Sequence, residues 1–363
     1  MIKNIIIATG GTGGHIFPAY SLAKYLIKKN YNVKISTDKR GQKFLKNYKD
    51  INLIQIPSSP IKKKNIIQFF LSVFVNIYSI IKSLIYLIFK RPSIVCGMGG
   101  YSSFPLCIAA WILRVKFIIY ENNLILGKAN KYLLPLANKI FVSYKDLEGI
   151  SEKYKNKVVE IGNIIREEII NAKVKNNKNY NFDGIKILVL GGSQAAKVFA
   201  DELPQIFKKL KQNGNLVKVY QQCQKKQNGQ LSHFYENELI DYELFNFTDN
   251  IINYYSKVNL AITRSGASVL GELLNFKIPL ISIPLPTSAD NHQYKNAEFY
   301  LKKGYGYLVE EKDINKKLFE LISSIFKDKS SLQNIISNQR QHSDKDIFKN
   351  LNTHIEKIIN ENN

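Results

Sequence analysis

The chain contains the same local pattern twice: an apolar run of strand character, then a glycine-rich turn, then an amphipathic segment of helical spacing. The first copy runs from Ile5–Ala8 through the turn Gly10–His15 into a segment around Leu22. The second runs from Lys186–Leu190 into Gly191–Ala196. A strand that passes through a tight turn into a helix is the opening unit of a parallel α/β fold. The repetition therefore predicts two similar α/β domains.

Strand-like and helix-like runs alternate along the rest of the chain, as in a doubly wound parallel sheet with helices on both faces. We divide the chain into domains 1–162 and 163–363 and expect the last helix, 345–360, to pack back on the first domain. The further predicted strands are Val33–Ser36, Leu53–Ile56, Ser93–Cys96, Lys116–Tyr120, Lys139–Val142, Val217–Tyr220, Leu260–Thr263 and Leu280–Ile283.

The first glycine-rich turn has the character of an anion site. A glycine-rich turn at the start of a helix exposes backbone N–H groups and the positive end of the helix dipole, which favours phosphates. A dinucleotide fingerprint fails because Ile16 stands at the third glycine position, and a P-loop fails because His15 follows Gly14. His15 is placed to share a proton beside the bound group. A turn that only allows close helix packing remains the alternative.

Composition narrows the class of protein. The 363 residues include 45% hydrophobic residues, enough for packed cores, and three widely separated cysteines that form neither a metal spacing nor a disulfide framework. This cysteine usage is typical of a reducing cytoplasm, and we find no secretory signal. The formal net charge is +23. No helix-turn-helix, zinc-finger or RNA-binding motif accompanies it, so we expect no nucleic-acid partner.

One segment, 62–91, combines positive charge with a long apolar helix. No acidic residue lies between Asp50 and Glu121. Within 66–89 the polar residues recur at helical steps as one narrow stripe, which leaves a broad apolar surface. A basic and apolar helix of this kind favours docking on an anionic membrane face. A buried helix and a membrane span are the alternatives, but a span would separate the loops Gly10–His15 and Gly97–Ser103. The stripe consists of Gln68, Ser72, Asn76, Ser79 and Ser83.

Other polar and glycine-rich segments follow predicted strands, where ligands of parallel sheets bind. Gly97–Ser103 is a second anion loop, and Glu121–Asn123 offers amides for sugar hydroxyls. In the second half, Arg264–Glu272 runs from a strand into a helix whose small residues let an anion approach. Asp290–Ala297 adds polar groups for a hydroxyl-rich ligand. Each segment alone is also compatible with an ordinary cap or turn.

The ordered set of motifs resembles the MurG family, bacterial transferases of N-acetylglucosamine from its UDP donor to undecaprenyl-pyrophosphoryl-N-acetylmuramyl-pentapeptide. The resemblance implies a GT-B fold, α/β with two Rossmann-like doubly wound domains facing a central cleft. It implies a first domain for the acceptor lipid and the membrane, and a second for the donor. The matching motifs are GGTGGHIFPA from Gly10, GMGGYSS from Gly97, YENN from Tyr120, GNIIR from Gly162, GGSQAA from Gly191, RSGASVLGEL from Arg264 and DNHQYKNA from Asp290.

The resemblance also implies roles for individual residues. His15 is the expected catalytic residue, Thr248 meets the uracil through its backbone, and Glu272 meets the ribose. The acceptor pyrophosphate is expected at the loops that contain Gly11, Gly99, Gly100 and Tyr101. The residues expected to contact the donor are Thr12, Gly13, Gly14, Asn123, Arg166, Ser193, Thr248, Ala267, Ser268, Val269, Glu272 and Gln293.

The implied chemistry is an inverting transfer without a metal or cofactor, in peptidoglycan synthesis at the cytoplasmic face of the inner membrane. His15 is the candidate general base; alternatively it only holds the acceptor pyrophosphate. The triplet Asp344–Asp346 stands in the tail and is not expected to bind metal. Two departures from the family pattern are Gln221–Cys223, to which we give no ligand role, and Val269, where a hydroxyl is common. A related GT-B enzyme with another lipid acceptor is the alternative function.

Overall fold

The structure is a computed structural model that describes residues 3–361 except 12, 47, 49, 62–64, 173–183, 193–196, 247 and 249. The chain divides into two units. The first comprises residues 1–166 together with 344–363, and the second comprises residues 167–343. Each unit is built on its own parallel sheet.

Strands and helices alternate along both units, as expected. The strands are β1 Asn4–Ala8, β2 Asn32–Thr37, β3 Asn52–Gln55, β4 Ile94–Gly97, β5 Phe117–Glu121, β6 Lys139–Val142, β7 Val158–Glu160, β8 Gly184–Leu190, β9 Leu216–Gln222, β10 Asp241–Phe245, β11 Leu260–Thr263, β12 Leu280–Ser282 and β13 Gly306–Leu308. The α-helices are α1 Gly13–Lys28, α2 Lys39–Leu45, α3 Ile66–Lys90, α4 Phe104–Ile112, α5 Lys128–Leu133, α6 Glu167–Ile170, α7 Lys197–Gln212, α8 Asn228–Asn237, α9 Ile252–Lys257, α10 Ala267–Asn275, α11 His292–Lys302, α12 Phe319–Lys327, α13 Ser330–Arg340 and α14 Ile347–Asn360.

Within the described residues, the sheet of the first unit has the order β3-β2-β1-β4-β5-β6-β7, and that of the second has β10-β9-β8-β11-β12-β13. All neighbouring strands are parallel. Apart from β7, both sheets follow the doubly wound order, in which the winding direction reverses beside the first strand. The expected fold class of two doubly wound parallel sheets is confirmed.

Three strands were not expected from the sequence: β7, β10 and β13. All three lie at an edge of their sheet, and most of their residues are half-buried or exposed. A central parallel strand is covered on both faces and reads as a continuous apolar run, whereas an edge strand needs no such run. The apolar pattern therefore detects the central strands better than the edges.

The reversal of winding determines where a ligand can bind. In the first unit it lies between β1 and β4, so the loops Gly10–His15 and Gly97–Ser103 leave adjacent strand ends. In the second unit it lies between β8 and β11, which places Gly191–Gly192 beside Arg264–Gly266. The crevice beyond such strand ends is the usual ligand site of an open α/β sheet.

Helix α3 has an unusual orientation, because its polar stripe faces inward. Ser72, Ser79 and Ser83 are buried, whereas Gln68 at the start of the stripe is exposed. The hydroxyl of Ser79 donates to the carbonyl of Val75 at 2.6 Å, and that of Ser83 to the carbonyl of Ser79 at 2.7 Å. The buried hydroxyls are thus satisfied by the helix itself, and small side chains allow close packing beneath it.

The outward face of α3 is apolar. Phe74 is 70% exposed and Phe89 is 79% exposed, and Trp111 of α4 is 50% exposed. By length and composition α3 is the described helix that is apolar enough to cross a membrane, with 22% of its most apolar window buried. Its two ends, however, lead from β3 into β4 of one sheet, so a span does not fit this unit. The further exposed apolar residues of α3 are Ile66, Ile67, Phe70, Leu71, Ile77, Tyr78, Ile81, Ile85 and Ile88.

Helix α14 belongs to the first unit. The ring of Phe348 stacks on that of Tyr25 in α1 at 5.0 Å between centroids. Just before α14, the buried carboxylate of Asp344 accepts the backbone N–H of Asn163 at 3.1 Å. The last helix is therefore held by an aromatic contact and by a hydrogen bond to the segment that follows β7.

We predict that Ser79→Leu lowers the free energy of unfolding by about 1–3 kcal/mol, because the larger side chain cannot fit at a fully buried position. Urea unfolding followed by circular dichroism measures this. The control is Gln68→Leu, at an exposed position of the same stripe, which should change stability by less than about 0.5 kcal/mol. Equal effects at the two positions would contradict the inward orientation of the stripe.

Candidate active site

The first glycine loop is held by hydrogen bonds from two neighbouring side chains. Helix α1 begins at Gly13, so the N–H groups of its first turn lack partners within the helix. The hydroxyl of Thr9 donates to the carbonyl of His15 at 2.9 Å, and the side-chain amide of Asn122 donates to the carbonyl of Gly14 at 3.0 Å. Gly11 has a φ of +83°, a conformation that favours glycine. Thr12 lies outside the described residues.

The second glycine loop packs directly against His15. Gly99 and Gly100 have φ values of +83° and +72°. A methyl group placed on Gly99 would lie 3.1 Å from Nδ1 of His15, and one on Gly100 would lie 3.4 Å from its Cδ2. A methyl group on Gly10 would lie 2.5 Å from Cβ of Ser102. The two loops thus approach so closely that side chains are excluded, and the half-buried His15 ring lies along the second loop.

Tyr101, at the end of the second glycine pair, is tied to a residue that the sequence analysis missed. Its hydroxyl donates to the carboxylate of Asp38 at 2.8 Å. Asp38 directly follows β2 and is 4% exposed. A buried carboxylate next to loops that favour anions is unexpected. The sequence gives Asp38 only the character of a helix cap, and in the structure it accepts the N–H of Gly41 at the start of α2.

A second buried carboxylate, Glu121, organises the segment that contains Asn123. Its Oε1 accepts the backbone N–H and the side-chain amide of Asn123 at 3.1 and 2.9 Å. Its Oε2 accepts the N–H of Gly127 at 2.9 Å and the amide of Asn130 at 3.0 Å. Glu121 is 2% exposed. With four donors, it acts as a scaffold that orients Asn123.

The segment that contains Arg166 is tied to the same strand. The buried hydroxyl of Tyr120 accepts the N–H of Ile164 at 3.0 Å. Burial raises the pKa of Tyr120, so the hydroxyl stays protonated and can also donate to Ser143 at 3.0 Å. Arg166 is half-buried at the end of the first unit. The candidate residues of the first unit therefore follow the ends of β1, β4, β5 and β7.

In the second unit, the candidate site includes the loop after β8 and the start of α10. Gly192 has a φ of +80°, and no heavy atom of the described residues lies within 4 Å of a methyl group placed on it. Ser193 lies outside the described residues. Thr248 is half-buried, and its hydroxyl accepts the N–H of Asn250 at 3.1 Å.

The N-terminus of α10 is shaped by small residues. Gly266 precedes the helix in extended backbone conformation and provides no side-chain cap. Ala267 is buried, while Ser268 and Val269 are half-buried. The positive end of the helix dipole and these first amides favour a phosphate group. The valine provides no hydroxyl for such a group, so any phosphate bond at 269 would come from the backbone.

Glu272 and Gln293 are both held by neighbouring groups. Glu272 is 8% exposed and accepts the hydroxyl of Tyr255 at 2.8 Å, a partner that the sequence analysis missed. The side-chain oxygen of Gln293 accepts the N–H of Ser265 at 3.2 Å and that of Leu285 at 3.0 Å. Gln293 therefore connects the loops after β11 and β12 and holds the approach to α10.

Gln221 and Asp344, in the two segments without a predicted ligand role, both make contacts that support the fold. Gln221 is fully buried and accepts the hydroxyl of Tyr235 at 2.5 Å, so its side chain serves the core of the second unit. Among the described residues, no group of three or more histidine, cysteine, aspartate or glutamate side chains is placed to hold a metal ion. Asp344 is engaged with Asn163, as described above.

Comparisons with known proteins cover nearly the whole chain. Residues 5–142 match the model of the glycosyltransferase family 28 N-terminal domain, and residues 186–351 match that of its C-terminal domain. A Pelagibacter ubique protein named UDP-N-acetylglucosamine--N-acetylmuramyl-(pentapeptide) pyrophosphoryl-undecaprenol N-acetylglucosamine transferase is 37% identical over 363 residues, 100% of both chains. A Rickettsia bellii protein with the same name is 38% identical over 334 residues, 89% of this chain and 92% of its own.

Solved structures agree on the fold. The crystal structure of MurG from Acinetobacter baumannii matches with a TM-score of 0.81 and 23% identity, covering 98% of this chain and 100% of its own. The S. aureus MnaA–UDP co-structure matches with a TM-score of 0.71 and 16% identity, covering 99% and 97%. At these identities the likeness establishes the fold alone, and it confirms the expected GT-B class.

We predict that Gly99→Ala displaces the His15 ring, because the new methyl group would lie 3.1 Å from two ring atoms and the residue has a positive φ. The NMR signal of the His15 Cε1–H should shift, and stability should fall by about 1–2 kcal/mol. The control is Gly229→Ala in α8, where, in the part of the chain that the structure describes, no heavy atom lies within 4 Å of the added methyl group. An unchanged His15 signal in Gly99→Ala would rule out the contact.

Proposed function

This chain belongs to the MurG family of glycosyltransferases, and we propose that it transfers N-acetylglucosamine from UDP-N-acetylglucosamine to the 4-hydroxyl of undecaprenyl-pyrophosphoryl-N-acetylmuramyl-pentapeptide. The proposal is supported by the full-length relationship to transferases with that name. The observation that carries it at the site is the contact of His15 with Gly99 and Gly100, where an anion loop meets a group that can accept a proton.

In the proposed reaction, the acceptor 4-hydroxyl attacks the anomeric carbon of the donor sugar and loses its proton to His15. The new C–O bond forms as the bond to the UDP oxygen breaks. A neutral imidazole suits this role near neutral pH. The loops with Gly11, Gly99, Gly100 and Tyr101 would hold the acceptor pyrophosphate, because their glycines expose backbone N–H groups where side chains are excluded.

The departing UDP takes up negative charge, and the second unit offers groups that stabilise it. We assign the diphosphate to the first amides of α10, at Ala267–Val269, and to the loop with Ser193. We assign the ribose hydroxyls to Glu272, whose carboxylate is held by Tyr255, and the uracil to the backbone of Thr248. The remaining proposed donor contacts are Thr12, Gly13, Gly14, Asn123, Arg166 and Gln293.

A single displacement inverts the configuration at the anomeric carbon, so we propose a β-linked product from the α-linked donor. We also propose that no metal ion or cofactor takes part, because helix N-termini and Arg166 supply the positive groups that the leaving diphosphate needs. Both statements concern the mechanism rather than the family. The linkage of the product tests inversion, and transfer in the presence of EDTA tests metal independence.

We propose that the protein is peripheral at the cytoplasmic face of the inner membrane. Support comes from α3, most of whose apolar residues are exposed, whereas the helix packs on the first unit through its buried serines and Leu87. Three exposed basic residues lie on α3 or directly after it: Lys82, Lys90 and Arg91. No acidic residue lies between Asp50 and Glu121. An apolar surface with a basic surround fits an anionic lipid surface. Nucleic acid is not a proposed partner.

The function is tested by transfer of labelled N-acetylglucosamine from its UDP donor to the undecaprenyl-linked muramyl-pentapeptide in detergent, with EDTA present. The expected result is a lipid-linked disaccharide with a β linkage. A product that forms only without EDTA would overturn metal independence. Transfer to a different lipid acceptor would identify a related GT-B enzyme, and no transfer to either by folded, donor-binding protein would contradict the proposal.

We predict that His15→Ala lowers kcat by about 10²–10⁴-fold and leaves donor affinity unchanged, as expected for loss of a general base. Steady-state kinetics and calorimetric binding of UDP-N-acetylglucosamine measure these effects. A raised acceptor KM with an unchanged kcat would instead assign His15 to pyrophosphate binding.

We predict that Phe74→Ser combined with Phe89→Ser weakens binding to vesicles of anionic phospholipid about tenfold or more, because each exposed aromatic loses its burial in lipid. Vesicle co-sedimentation measures the binding. The control is Leu239→Ser, which removes an 81% exposed apolar side chain from the second unit and should leave binding unchanged. Transfer to detergent-dispersed acceptor should persist in both variants.

A further inference from the structure

Asp38 connects three segments around the glycine loops of the first unit. Its Oδ1 accepts the N–H of Gly41 at 2.8 Å and faces that of Gly11 at 3.4 Å, and its Oδ2 accepts the hydroxyl of Tyr101 at 2.8 Å. The side chain of Asp38 is 6% exposed. One buried carboxylate thus joins the first turn of α2, the first glycine loop and the second glycine loop.

The positively charged partner of this carboxylate is Arg40. Its Nε lies 3.7 Å from Oδ2 of Asp38, and its guanidinium carbon lies 5.2 Å from the centre of the Tyr101 ring. The side chain of Arg40 is 58% exposed. The guanidinium is therefore held next to a carboxylate and an aromatic ring, while more than half of the side chain is exposed.

This arrangement does little for stability. An ion pair at 3.7 Å whose cation is 58% exposed adds little to the free energy of folding, and so does a cation–π contact made by the same exposed side chain. An oriented guanidinium, in contrast, has N–H donors in a planar fork that matches the oxygens of a phosphate group. Because the Arg40 side chain is already ordered in the free protein, less conformational entropy is lost when a ligand binds, and this favours binding.

The position of Arg40 relative to the anion loops indicates which ligand it meets. The Tyr101 ring that lies beside it is 3.9 Å from a methyl group placed on Gly11, and Gly99 and Gly100 continue from Tyr101 to the His15 ring. Arg40 therefore stands at the outer end of a continuous surface that leads to His15. A ligand whose reacting hydroxyl is near His15 and whose anionic group lies along the loops would meet Arg40 with that anionic group.

We propose that Arg40 binds the pyrophosphate of the lipid-linked acceptor, and that Asp38 and Tyr101 are positioning residues that hold its guanidinium at the rim of the glycine loops. The proposal rests on the proposed function, because it names a further contact for the same acceptor. It assigns to Arg40 a role in acceptor binding and none in the chemical step or in donor binding.

The test compares Arg40→Gln and Arg40→Lys with the control Lys39→Gln, which removes a positive charge from an exposed neighbour on α2. Transfer is measured in detergent, so that vesicle binding does not contribute. Arg40→Gln should raise the acceptor KM about tenfold or more, as expected for a lost charge-assisted hydrogen bond. The donor KM and kcat should stay unchanged, Arg40→Lys should restore part of the affinity, and Lys39→Gln should resemble the native chain.

Inorganic pyrophosphate is the second probe, because it carries the proposed anionic group without lipid, sugar or peptide. It should inhibit competitively against the acceptor, and Arg40→Gln should weaken this inhibition by the same factor as it raises the acceptor KM. A raised acceptor KM with unchanged pyrophosphate inhibition would overturn the proposal by assigning Arg40 to another acidic group of the acceptor.

The positioning role is tested with Asp38→Asn, which retains a side chain that can cap α2, and with Tyr101→Phe. Each should raise the acceptor KM, and adding either to Arg40→Gln should cause little further loss, because all three act on one contact. Thermal unfolding verifies that the variants are folded. An acceptor KM within twofold of the native value in Arg40→Gln overturns the inference, whereas absence of transfer by the native chain contradicts the proposed function instead.

Discussion

The candidate site of the first unit depends on one steric constraint, the close approach of two backbone loops. The reversal of winding makes β1 and β4 neighbours, and their following loops must share the space beyond the same sheet edge. At Gly10 and Gly99 an added methyl group would come within 2.5 Å of Ser102 and 3.1 Å of His15, respectively. The absence of side chains there both allows the packing and exposes the N–H groups that favour an anion.

Apart from β7, the two units share one sheet order but differ in the groups placed beyond their strand ends. In the first, polar side chains are added around the loops: Asp38 and Glu121 are buried carboxylates that hold neighbouring loops, and His15 lies where those loops meet. In the second, the site includes a helix N-terminus approached by small residues and held through Gln293. A common scaffold thus carries two glycine loops packed against a histidine in one unit and a helix N-terminus flanked by small residues in the other.

Much of the fold could be predicted from the sequence, because central strands and glycine turns have strong local signals. The edge strand β10 has no continuous buried run and was missed. The principal site motifs were visible, whereas their supports were not. Asp38 lies 63 residues from Tyr101, and Tyr255 lies 17 residues from Glu272. Such pairings depend on the sheet order, and no local pattern of a single chain encodes them.

The buried serines of α3 make conformational stability largely independent of the apolar character of the helix surface. In most amphipathic helices the apolar residues supply the free energy of folding, and the polar residues supply solubility. In α3 the buried residues are Ser72, Ser79, Ser83 and Leu87, so the exposed apolar side chains contribute little to folding. The colloidal behaviour of the protein and its conformational stability can therefore evolve independently. Substitutions on the outer surface of α3 can change its apolar character without eroding the core.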